Sequence, residues 1–341
     1  MNNNLFLESR EKIEKRVMEI LDEELTKFQD NEFISDAIRE LKRLSAGGKR
    51  VRGYLIKLGQ MLYGKDDDTY VDLAAAIEIF QTAILIHDDI IDEADKRRGM
   101  QTITYKYKGH DGIAKAICVG DLGFFISYWI INNLDISKEL KDEIMKVYSK
   151  TLYNTVNGEI VDVELPLKSL SYHRDMDEKI IYDIYVNKTA WYTIIGPILI
   201  GASSAGASPQ DKQKLIEMGT NLGIAFQIKD DLLGLYSSAD EMGKTLNDIK
   251  EGKQTIIYKY AINHASDEEL KLIEAYYGNP NVTSDENKTI TELFEKLGAR
   301  KHALEKANFY TNKGIEIINN MDVKNKTLFM EFADYLLKRK K

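Results

Sequence analysis

Hydrophobic positions recur with a helical period through most of this chain. Between residues 70 and 92, Leu73, Ile77, Phe80 and Ile84 lie three or four positions apart, with alanines between them. This spacing predicts a helix that is buried on most sides. Similar patterns predict further helices at 112–133, 138–164, 176–200 and 210–236. Strictly alternating patterns typical of strands are scarce, so we expect an all-α fold.

Glycine and serine clusters separate the predicted helices at 46–48, 109–112 and 201–208. No stretch has the composition of a domain linker, and no repeat of regular period is visible. We therefore expect residues 1–341 to form one domain, a single large helical bundle with a central cavity. The more polar segment 262–296 is expected to be a peripheral helical elaboration.

Composition narrows the classes of partner. Charged residues make up 30% of the chain and the net charge is −8, which argues against a nucleic acid as the main partner. No uncharged apolar run reaches the roughly 18 residues of a membrane span, and 116–131 and 193–202 are expected to be buried helices. The N-terminal segment lacks the apolar core of a signal peptide. The single cysteine, Cys118, is expected to be buried, in a protein of the reducing cytoplasm.

The segment HDDIID carries the first candidate chemistry. Asp88 and Asp92 are four residues apart and share one helix face, and Asp89 lies one step around. Three carboxylates at the end of an apolar helix repel one another and need a cation. Mg²⁺ prefers oxygen ligands and commonly joins one or two carboxylates to substrate phosphates. The alternative is a solvated helix end with ion pairs to Arg97 and Arg98.

A second acidic cluster follows another apolar helix. Asp230 and Asp231 come directly after it, and Gln227 lies one turn earlier. The position four residues after Asp230 is Gly234, so this cluster has one carboxylate fewer than the first. Its alternative interpretation is the C-terminal region of a helix capped by Gly234.

Basic residues complement these carboxylates. A GGKRVR segment at 47–52 opens a helix after glycines, an arrangement suited to anions. Two further arginines follow the first acidic cluster, one lysine lies within the predicted helix 176–200, and two lysines each follow a glycine. The candidates are Lys49, Arg52, Arg97, Arg98, Lys188, Lys244 and Lys253. Two acidic clusters, several basic positions and large apolar helices together predict a pocket for a molecule with a diphosphate head and a hydrocarbon tail.

In their order along the chain, these segments resemble the trans-isoprenyl diphosphate synthases, or polyprenyl synthases. The matching segments are GGKRVR at 47–52, LIHDDIIDEADKRRG at 85–99, GD at 120–121, GEIVD at 158–162, KT at 188–189, FQIKDDLLG at 226–234, GK at 243–244 and DIKEGKQT at 248–255. They cover about residues 45–260. The resemblance implies an isoprenoid synthase fold, a homodimer and a Mg²⁺-dependent prenyltransferase with three ions per active site.

The resemblance also implies roles for individual residues. Those expected to hold Mg²⁺ are Asp88, Asp92 and Asp230, with Asp89 in support, and Asp231 is a further catalytic candidate. Those expected to contact the allylic diphosphate are Arg97, Lys188 and Lys244, and Lys253 is a further substrate-binding candidate. Those expected to bind isopentenyl diphosphate are Lys49, Arg52, Arg98 and Gln81, the last standing where many members carry His. The oxygens of Thr189 and Gln227 are expected near the developing allylic cation.

The implied reaction is ionisation of the allylic diphosphate, condensation with isopentenyl diphosphate and loss of a proton. Two departures from the family pattern are visible: Gly234 replaces the last Asp of the second motif, and Glu159 stands where Gln is usual. A non-catalytic subunit of a heteromeric synthase is one alternative, although the expected carboxylates and lysines are present. A terpene cyclase or head-to-head synthase is another, although it needs no GGKRVR segment.

Product length is expected to depend on the helix that precedes Asp88. In the resembled family a bulky residue five positions before the motif stops growth early. Ala83 occupies that position here, beside Ile84, so a short farnesyl product is disfavoured. Phe80 lies on a similar face one turn deeper. It predicts a product of about C20–C25 if it blocks the tail and a longer one if it turns aside; ordinary core packing of Phe80 is the alternative.

Overall fold

The described part of the chain, residues 3–236 and 248–338 of a computed structural model, is almost entirely helical. Its first elements are α1 (Asn3–Lys27), α2 (Glu32–Ser45), α3 (Val51–Leu62), α4 (Tyr70–Ile91), β1 (Lys96–Arg97), β2 (Met100–Gln101), α5 (Ile103–Tyr107), α6 (Gly109–Asn132) and α7 (Lys138–Glu164). Next come a 3₁₀ turn (Leu165–Leu167), α8 (Leu170–Asp175), α9 (Lys179–Ile184), a π-helix (Tyr185–Ile195), α10 (Gly196–Ser204) and α11 (Pro209–Tyr236). The last are α12 (Asp248–Glu251), α13 (Ile256–His264), α14 (Asp267–Tyr276), α15 (Ser284–Lys296), α16 (Ala299–Asn319) and α17 (Lys326–Lys338). The predicted all-α class is confirmed.

Two compact units make up the chain. Unit 1 consists of residues 1–149, 196–212 and 323–329, and unit 2 of residues 150–195, 213–322 and 330–341. The single domain over 1–341 stays a prediction.

Helix α4 lies at the centre of unit 1, where it packs against α1, α3 and α6. Its residues Ala74–Ala76 and Ile77 are completely buried. Helices α3 and α10 also pack together, and a Cβ on Gly201 would lie 2.0 Å from the carbonyl oxygen of Ile56. Glycine therefore permits direct backbone contact at this crossing. The well-packed α4 brings the first acidic cluster to a fixed place at its C-terminal end.

The outer side of α6 was not expected from its sequence. Helices α4 and α6 are both long and apolar enough to cross a membrane, which is weak evidence because core helices pass the same test. An 18-residue window is 72% buried in α4 but only 33% buried in α6. The exposed residues of α6 include Phe125, Trp129 and Cys118. The expectations that 116–131 forms a buried helix and that Cys118 is a core residue are therefore wrong.

A tight hairpin follows α4. Strands β1 and β2 pair antiparallel, with Arg97 opposite Met100. The two residues between them, Arg98 and Gly99, have φ values of +53° and +77°. Positive φ at both central positions is the backbone of a two-residue type I′ turn, which glycine adopts readily. This turn projects the two neighbouring arginines just beyond the acidic cluster.

Unit 2 has its own core, built around α13, α15 and α16. Ile273, Ile290 and Phe294 are completely buried in it. These three residues belong to the segment 262–296, so the expectation that this segment is peripheral is wrong. Its polar residues lie on the outer faces of α14 and α15, whereas its apolar residues are part of the core.

The helix predicted over 176–200 is divided into α9, the π-helix and α10. The wide π-helical turn accompanies close backbone approaches within unit 2. A Cβ on Gly158 would lie 2.2 Å from the backbone nitrogen of Lys188, and one on Gly223 would lie 2.2 Å from the Cβ of Ala190. Insertions of this kind frequently mark functional sites. Lys188 and Thr189 both lie in this turn.

Candidate active site

The first acidic cluster already has a cation beside it. Asp89 is buried at the end of α4, and Nε of Arg97 donates a hydrogen bond of 2.5 Å to its Oδ1. A second nitrogen of Arg97 lies 3.2 Å from Oδ2 of Asp88. Burial alone would lower the pKa of Arg97, but the carboxylates of Asp89 and Asp88 outweigh it and raise the pKa. The ion pair considered as the alternative for this cluster is therefore present with Arg97.

These carboxylates also fit a magnesium ion that is completed by substrate. Within residues 3–236 and 248–338, no group of three or more His, Cys, Asp or Glu side chains is arranged to hold a metal ion. Mg²⁺ does not need such a cage, because it usually takes one or two carboxylates together with phosphate oxygens and water. Asp88 and Asp92 lie on one helix face, as that arrangement requires.

A cluster of guanidinium groups lies close to this acidic cluster in unit 1. A Cβ on Gly48 would lie 3.0 Å from a terminal nitrogen of Arg50 and 3.4 Å from one of Arg98. Desolvation is the main cause that lowers the pKa of Arg98, although its side chain remains exposed. The carboxylate of Glu78 opposes this shift, and the neighbouring Arg50, Arg52 and Arg97 add to it. Such a concentration of positive charge is suited to an anion with several charges, such as a diphosphate.

Lys49, in the loop before α3, and Arg52, in the first turn of α3, are held in place by ion pairs of the buried Arg50. Arg50 is 2% exposed and its Nε donates to Glu14 at 2.7 Å. Glu78 of α4 accepts the backbone N–H of Gly53 at 2.9 Å and lies 3.4 Å from Arg50. Arg50 itself has a φ of +55°, a left-handed conformation that this network supports. Arg50 and Glu78 thus position the predicted basic residues, a function that the motif alone did not assign to them.

Gln81 is buried in α4, and its Oε1 has no hydrogen-bond partner among the residues that the structure describes. A buried amide oxygen without a partner is uncommon and invites a ligand or a water molecule. A small pocket lies in the same unit. It is lined by Leu44, Thr82, Leu85, Ile86, Asp89, Arg97, Arg98 and Met100. This lining combines apolar side chains with the charged groups described above.

In unit 2 a chain of hydrogen bonds orients Gln227. The hydroxyl of Thr189 donates to Oε1 of Gln227 at 2.5 Å, and Nε2 of Gln227 donates to Oδ1 of Asp231 at 2.8 Å. The hydroxyl of Tyr185 donates to the other oxygen of Asp231 at 2.5 Å and accepts the N–H of Ile256 at 3.1 Å. The predicted residues Thr189, Gln227 and Asp231 are therefore in one network, with two side-chain oxygens side by side.

Asp231 is enclosed by this network. Its burial, and then the carboxylates of Asp248 and Asp230, raise its pKa well above the usual value, whereas its hydrogen bonds with Tyr185 and Gln227 lower it. Asp231 therefore acts on Gln227 rather than presenting a free carboxylate. The sequence motif indicated Asp231 but not Tyr185, which lies 46 residues away along the chain.

Two basic candidates of unit 2 share one carboxylate. Nζ of Lys188 lies 2.5 Å from Oδ2 of Asp162, and Nζ of Lys253 lies 3.4 Å from the same oxygen. Glu159 is 2.9 Å from Lys188 on its other side. Burial would raise the pKa of Asp162, but Lys188 and Lys253 outweigh it and lower the pKa. Lys188, although charged and within a helix, is therefore held by these two carboxylates.

Asp230 lies on α11 beside this network, and its neighbour at the fourth position is Gly234. The carboxylate of Asp248 occupies the space next to Gly234, 2.0 Å from the place where a Cβ would lie. Lys244 lies outside the described residues. The structure therefore describes every predicted site residue except Lys244.

The predicted product-length residues lie at the crossing of α4 with its neighbours in unit 1. The ring of Phe80 is 5.5 Å from that of Phe124 and 5.8 Å from that of Tyr148. The hydroxyl groups of Tyr148 and Ser127 are hydrogen-bonded. Ala83 packs closely against α6, since a Cβ built on Gly123 would lie 2.9 Å from the Cβ of Ala83. Phe80 is thus held by aromatic neighbours, whereas Ala83 lies at a tight helix contact beside the partly exposed Ile84.

Comparison with known proteins agrees with this arrangement. A family model described as polyprenyl synthetase matches residues 32–296, which is more than half of the chain. This chain belongs to the polyprenyl synthetase family. As a polyprenyl synthetase it is a prenyltransferase, and the predicted family, isoprenoid synthase fold and enzyme class are confirmed.

Individual relatives support the same assignment. A short chain isoprenyl diphosphate synthase of Methanocaldococcus jannaschii is 31% identical over 284 residues, which is 83% of each chain. A geranylgeranyl diphosphate synthase of Sulfolobus acidocaldarius is 30% identical, over 87% of this chain and 88% of the relative. The crystal structure of geranylgeranyl pyrophosphate synthase from Corynebacterium glutamicum, complexed with isoprenyl diphosphate and magnesium, is 26% identical with a TM-score of 0.86, covering 97% of this chain and 99% of that one.

Proposed function

We propose that this polyprenyl synthetase joins isopentenyl diphosphate head-to-tail to an allylic diphosphate and releases a trans-polyprenyl diphosphate. The observation that carries this proposal is the position of Arg97. It contacts Asp88 and Asp89 and also belongs to the guanidinium cluster around Gly48. Unit 1 thus places carboxylates that can bind a metal ion next to guanidinium groups that can bind a diphosphate.

The side chains are assigned to the two substrates as follows. Arg97, Lys188, Lys244 and Lys253 bind the allylic diphosphate, and Lys49, Arg52, Arg98 and Gln81 bind isopentenyl diphosphate. Asp88, Asp92 and Asp230 would hold Mg²⁺ with Asp89 in support, and Asp231 orients Gln227. When bound, the metal supplies charge stabilisation for the departing diphosphate. We expect three ions in each active site.

In the reaction, the C–O bond of the allylic diphosphate breaks and its electron pair leaves with the diphosphate. The allylic carbon then bonds to the terminal alkene carbon of isopentenyl diphosphate, and a proton passes to the released diphosphate. The oxygens of Thr189 and Gln227 lie 2.5 Å apart and are fixed by Asp231. Two fixed dipoles of this kind stabilise a developing cation without needing to reorganise.

For product length we propose geranylgeranyl diphosphate or a somewhat longer chain, about C20–C25. Small Ala83 does not itself close the space near Asp88. Phe80, one helical turn before Ala83, is buried and packs against Phe124 and Tyr148. We therefore assign its ring as the group that stops the growing hydrocarbon tail.

We also propose that the protein is a cytoplasmic homodimer, with its second copy on the outer side of α6. Ile113, Ile117, Phe125 and Trp129 are exposed there, spaced by four or eight residues. Asp121 lies in the same row, 3.6 Å from His87. A carboxylate at that point is costly in hydrocarbon but acceptable in a protein interface. Sedimentation equilibrium of Trp129→Glu tests this, since the wild type should be a dimer and the variant should dissociate. The single cysteine agrees with a reducing compartment.

The test of the function is direct. The purified full chain is incubated with Mg²⁺, labelled isopentenyl diphosphate and each of dimethylallyl, geranyl and farnesyl diphosphates, and the products are separated against chain-length standards. Polyprenyl diphosphate is expected, and Asp88→Asn should abolish it while Asp183→Asn, an exposed change, should not. Absence of product with every primer would identify a non-catalytic subunit. Consumption of the allylic substrate without isopentenyl diphosphate would identify a cyclase.

A further inference from the structure

The turn at residues 248–255 carries Lys253, whose Nζ lies 3.4 Å from Oδ2 of Asp162. The backbone carbonyl oxygen of Lys253 accepts the N–H of Thr255 at 3.1 Å and the hydroxyl of Tyr277 at 2.5 Å. Because a carbonyl oxygen can accept two hydrogen bonds, both contacts are satisfied together. Tyr277, 24 residues further along the chain, thus holds the backbone of a predicted substrate-binding residue.

Tyr277 and Gly278 form the corner that follows α14, and this corner also contacts the rest of the turn. The N–H of Gly278 donates to the carbonyl oxygen of Ile249 at 2.7 Å, whereas the N–H of Gly252, within the turn, donates to the same oxygen at 3.3 Å. Gly252 has a φ of +64°, and a Cβ built on it would lie 3.0 Å from Cα of Gly278. The corner therefore holds the turn through two carbonyl oxygens and through a close contact between glycine backbones.

The ring of Tyr277 is itself fixed in the core of unit 2. It stacks on the ring of Tyr258, with centroids 4.4 Å apart and planes 19° apart, and it lies 5.8 Å from the buried ring of Phe294. Desolvation, and then the carboxylate of Asp248, raise the pKa of Tyr277 well above its usual value. The hydroxyl therefore keeps its proton at neutral pH and donates it from a fixed place.

We propose that Tyr277 is a positioning residue for diphosphate binding and acts through the backbone of Lys253. This inference rests on the proposed role of Lys253 in binding the allylic diphosphate. A lysine side chain is long and flexible, so the place of its ammonium group depends on the backbone that carries it as well as on Asp162.

Loss of the Tyr277 hydroxyl would leave the carbonyl oxygen of Lys253 with a bond from within the turn only. The ammonium of Lys253 would then occupy more positions, and a diphosphate would have to order it on binding, which lowers affinity. The segment 262–296 would thus contribute to substrate binding as well as to the core of unit 2.

The decisive measurement is the binding of inorganic pyrophosphate, in the presence of Mg²⁺, to the full-length protein by isothermal titration. Tyr277→Phe removes only the hydroxyl and keeps the ring that stacks on Tyr258. It should weaken pyrophosphate binding about three- to tenfold, the usual effect of one hydrogen bond. Lys253→Met removes the ammonium group and should weaken binding about 10- to 100-fold. Tyr276→Phe makes the same change in the neighbouring tyrosine and is the matched control, which should bind as the wild type does.

A double variant tests whether the effect passes through Lys253. Adding Tyr277→Phe to Lys253→Met should cause no further loss of pyrophosphate binding, because the group that Tyr277 positions is already absent. A hydroxyl that only stabilised the fold would weaken binding by the same factor in both backgrounds. Unfolding temperatures without ligand show that each variant is folded.

The possible failures differ in which variant keeps its affinity. If Lys253→Met binds pyrophosphate weakly but Tyr277→Phe binds it as tightly as the wild type, the hydroxyl has no positioning role and the inference is overturned. Equal losses from Tyr277→Phe with and without Lys253 would overturn it as well. If Lys253→Met binds like the wild type, the proposed role of Lys253 is itself wrong, and the inference falls with it.

Discussion

Nζ of Lys188 lies 2.5 Å from Oδ2 of Asp162, a buried carboxylate on a different helix. This contact fixes a long, flexible side chain before any substrate arrives. Pre-ordering of this kind lowers the entropy that is lost when a diphosphate binds.

Replacing Asp162 with Asn should separate the two lysines that it joins. Lys188 and Lys253 would lose their common partner, and a misplacement of about 1 Å can cost about 100-fold in rate. We therefore expect kcat/KM for the allylic substrate to fall about 10- to 100-fold. Steady-state kinetics measure the fall, and circular dichroism checks folding.

The matched control for Asp162 is Asp183→Asn. Asp183 pairs with Lys179 at 2.7 Å, and both side chains are more than half exposed. Exposed pairs contribute little, about 0–1 kcal/mol, so kinetics should be unchanged. Equal effects of the two substitutions would mean that Asp162 has no special role in positioning the lysines.

Replacing Glu159 with Gln should strengthen diphosphate binding. The carboxylate of Glu159 lies 2.9 Å from the ammonium of Lys188 and competes with a diphosphate for it. A Gln side chain keeps an acceptor oxygen but has no negative charge. We expect KM for the allylic substrate and the inhibition constant of pyrophosphate to fall about two- to fivefold, or about 0.4–1 kcal/mol. Weaker binding in this variant would show that Glu159 helps to place Lys188 instead of competing for it.

Replacing Phe80 with Ala should lengthen the product. The substitution removes the ring that Phe124 and Tyr148 support and opens space one turn below Ala83. Product chromatography should show at least one further C5 unit, and the free energy of unfolding should fall by about 3–5 kcal/mol. Tyr148→Phe is the control, since it removes only the hydroxyl bonded to Ser127. An unchanged product length in Phe80→Ala would mean that Phe80 is core packing alone.

Stability should fall on acidification through His173. Its Nε2 lies 2.9 Å from the carbonyl oxygen of Leu165 and its Nδ1 lies 3.2 Å from the hydroxyl of Tyr258. A neutral ring that donates through Nε2 and accepts at Nδ1 satisfies both contacts. Burial, and also the ammonium of Lys259, lower the pKa of His173, while the bond to Leu165 raises it.

Because the net pKa of His173 is lowered, the unfolded chain takes up the proton at a higher pH than the folded protein. The contribution of His173 is complete above about pH 6.5 and is lost as pH falls through the lower folded pKa. Urea unfolding at pH 7.5 and 5.5 measures this. The wild type should lose more stability between these values than His173→Gln, and equal losses would contradict the assignment.

Much of the fold follows from local sequence patterns. The period of apolar residues predicts α7 at 138–164 with its observed bounds, and it places α4 and α11 to within one residue at each end. Such patterns report on neighbours within one helix. The apolar period does not distinguish the π-helix at Tyr185–Ile195 from an α-helix, and the helices that approach it closely at Gly158 and Gly223 are distant in the sequence.

The residues of the candidate site also form two groups, those that a local motif marks and those that only the fold brings together. Motifs indicated Asp88, Thr189, Gln227 and Asp231, and the last three meet in one network. Glu78 and Tyr185 act through contacts with residues 25 and 46 positions away, and no local pattern marks them. Asp162 lies in the matched GEIVD segment, but its contact with Lys188, 26 positions away, appears only in the fold. The exposure of α6 was missed because an apolar helix has the same composition whether or not its outer side is covered.

The π-helix makes chain length important, beside the identities of Tyr185, Lys188 and Thr189, between residues 185 and 195. Each residue of an α-helix turns the chain by about 100°. A π-helical turn is wider and contains about one more residue than an α-helical turn. Deleting one residue before Lys188 would let the segment relax to ordinary winding. The lysine would then rotate away from Asp162, and Thr189 from Gln227. At the other positions of this segment, natural variation should therefore replace residues more readily than it inserts or removes them.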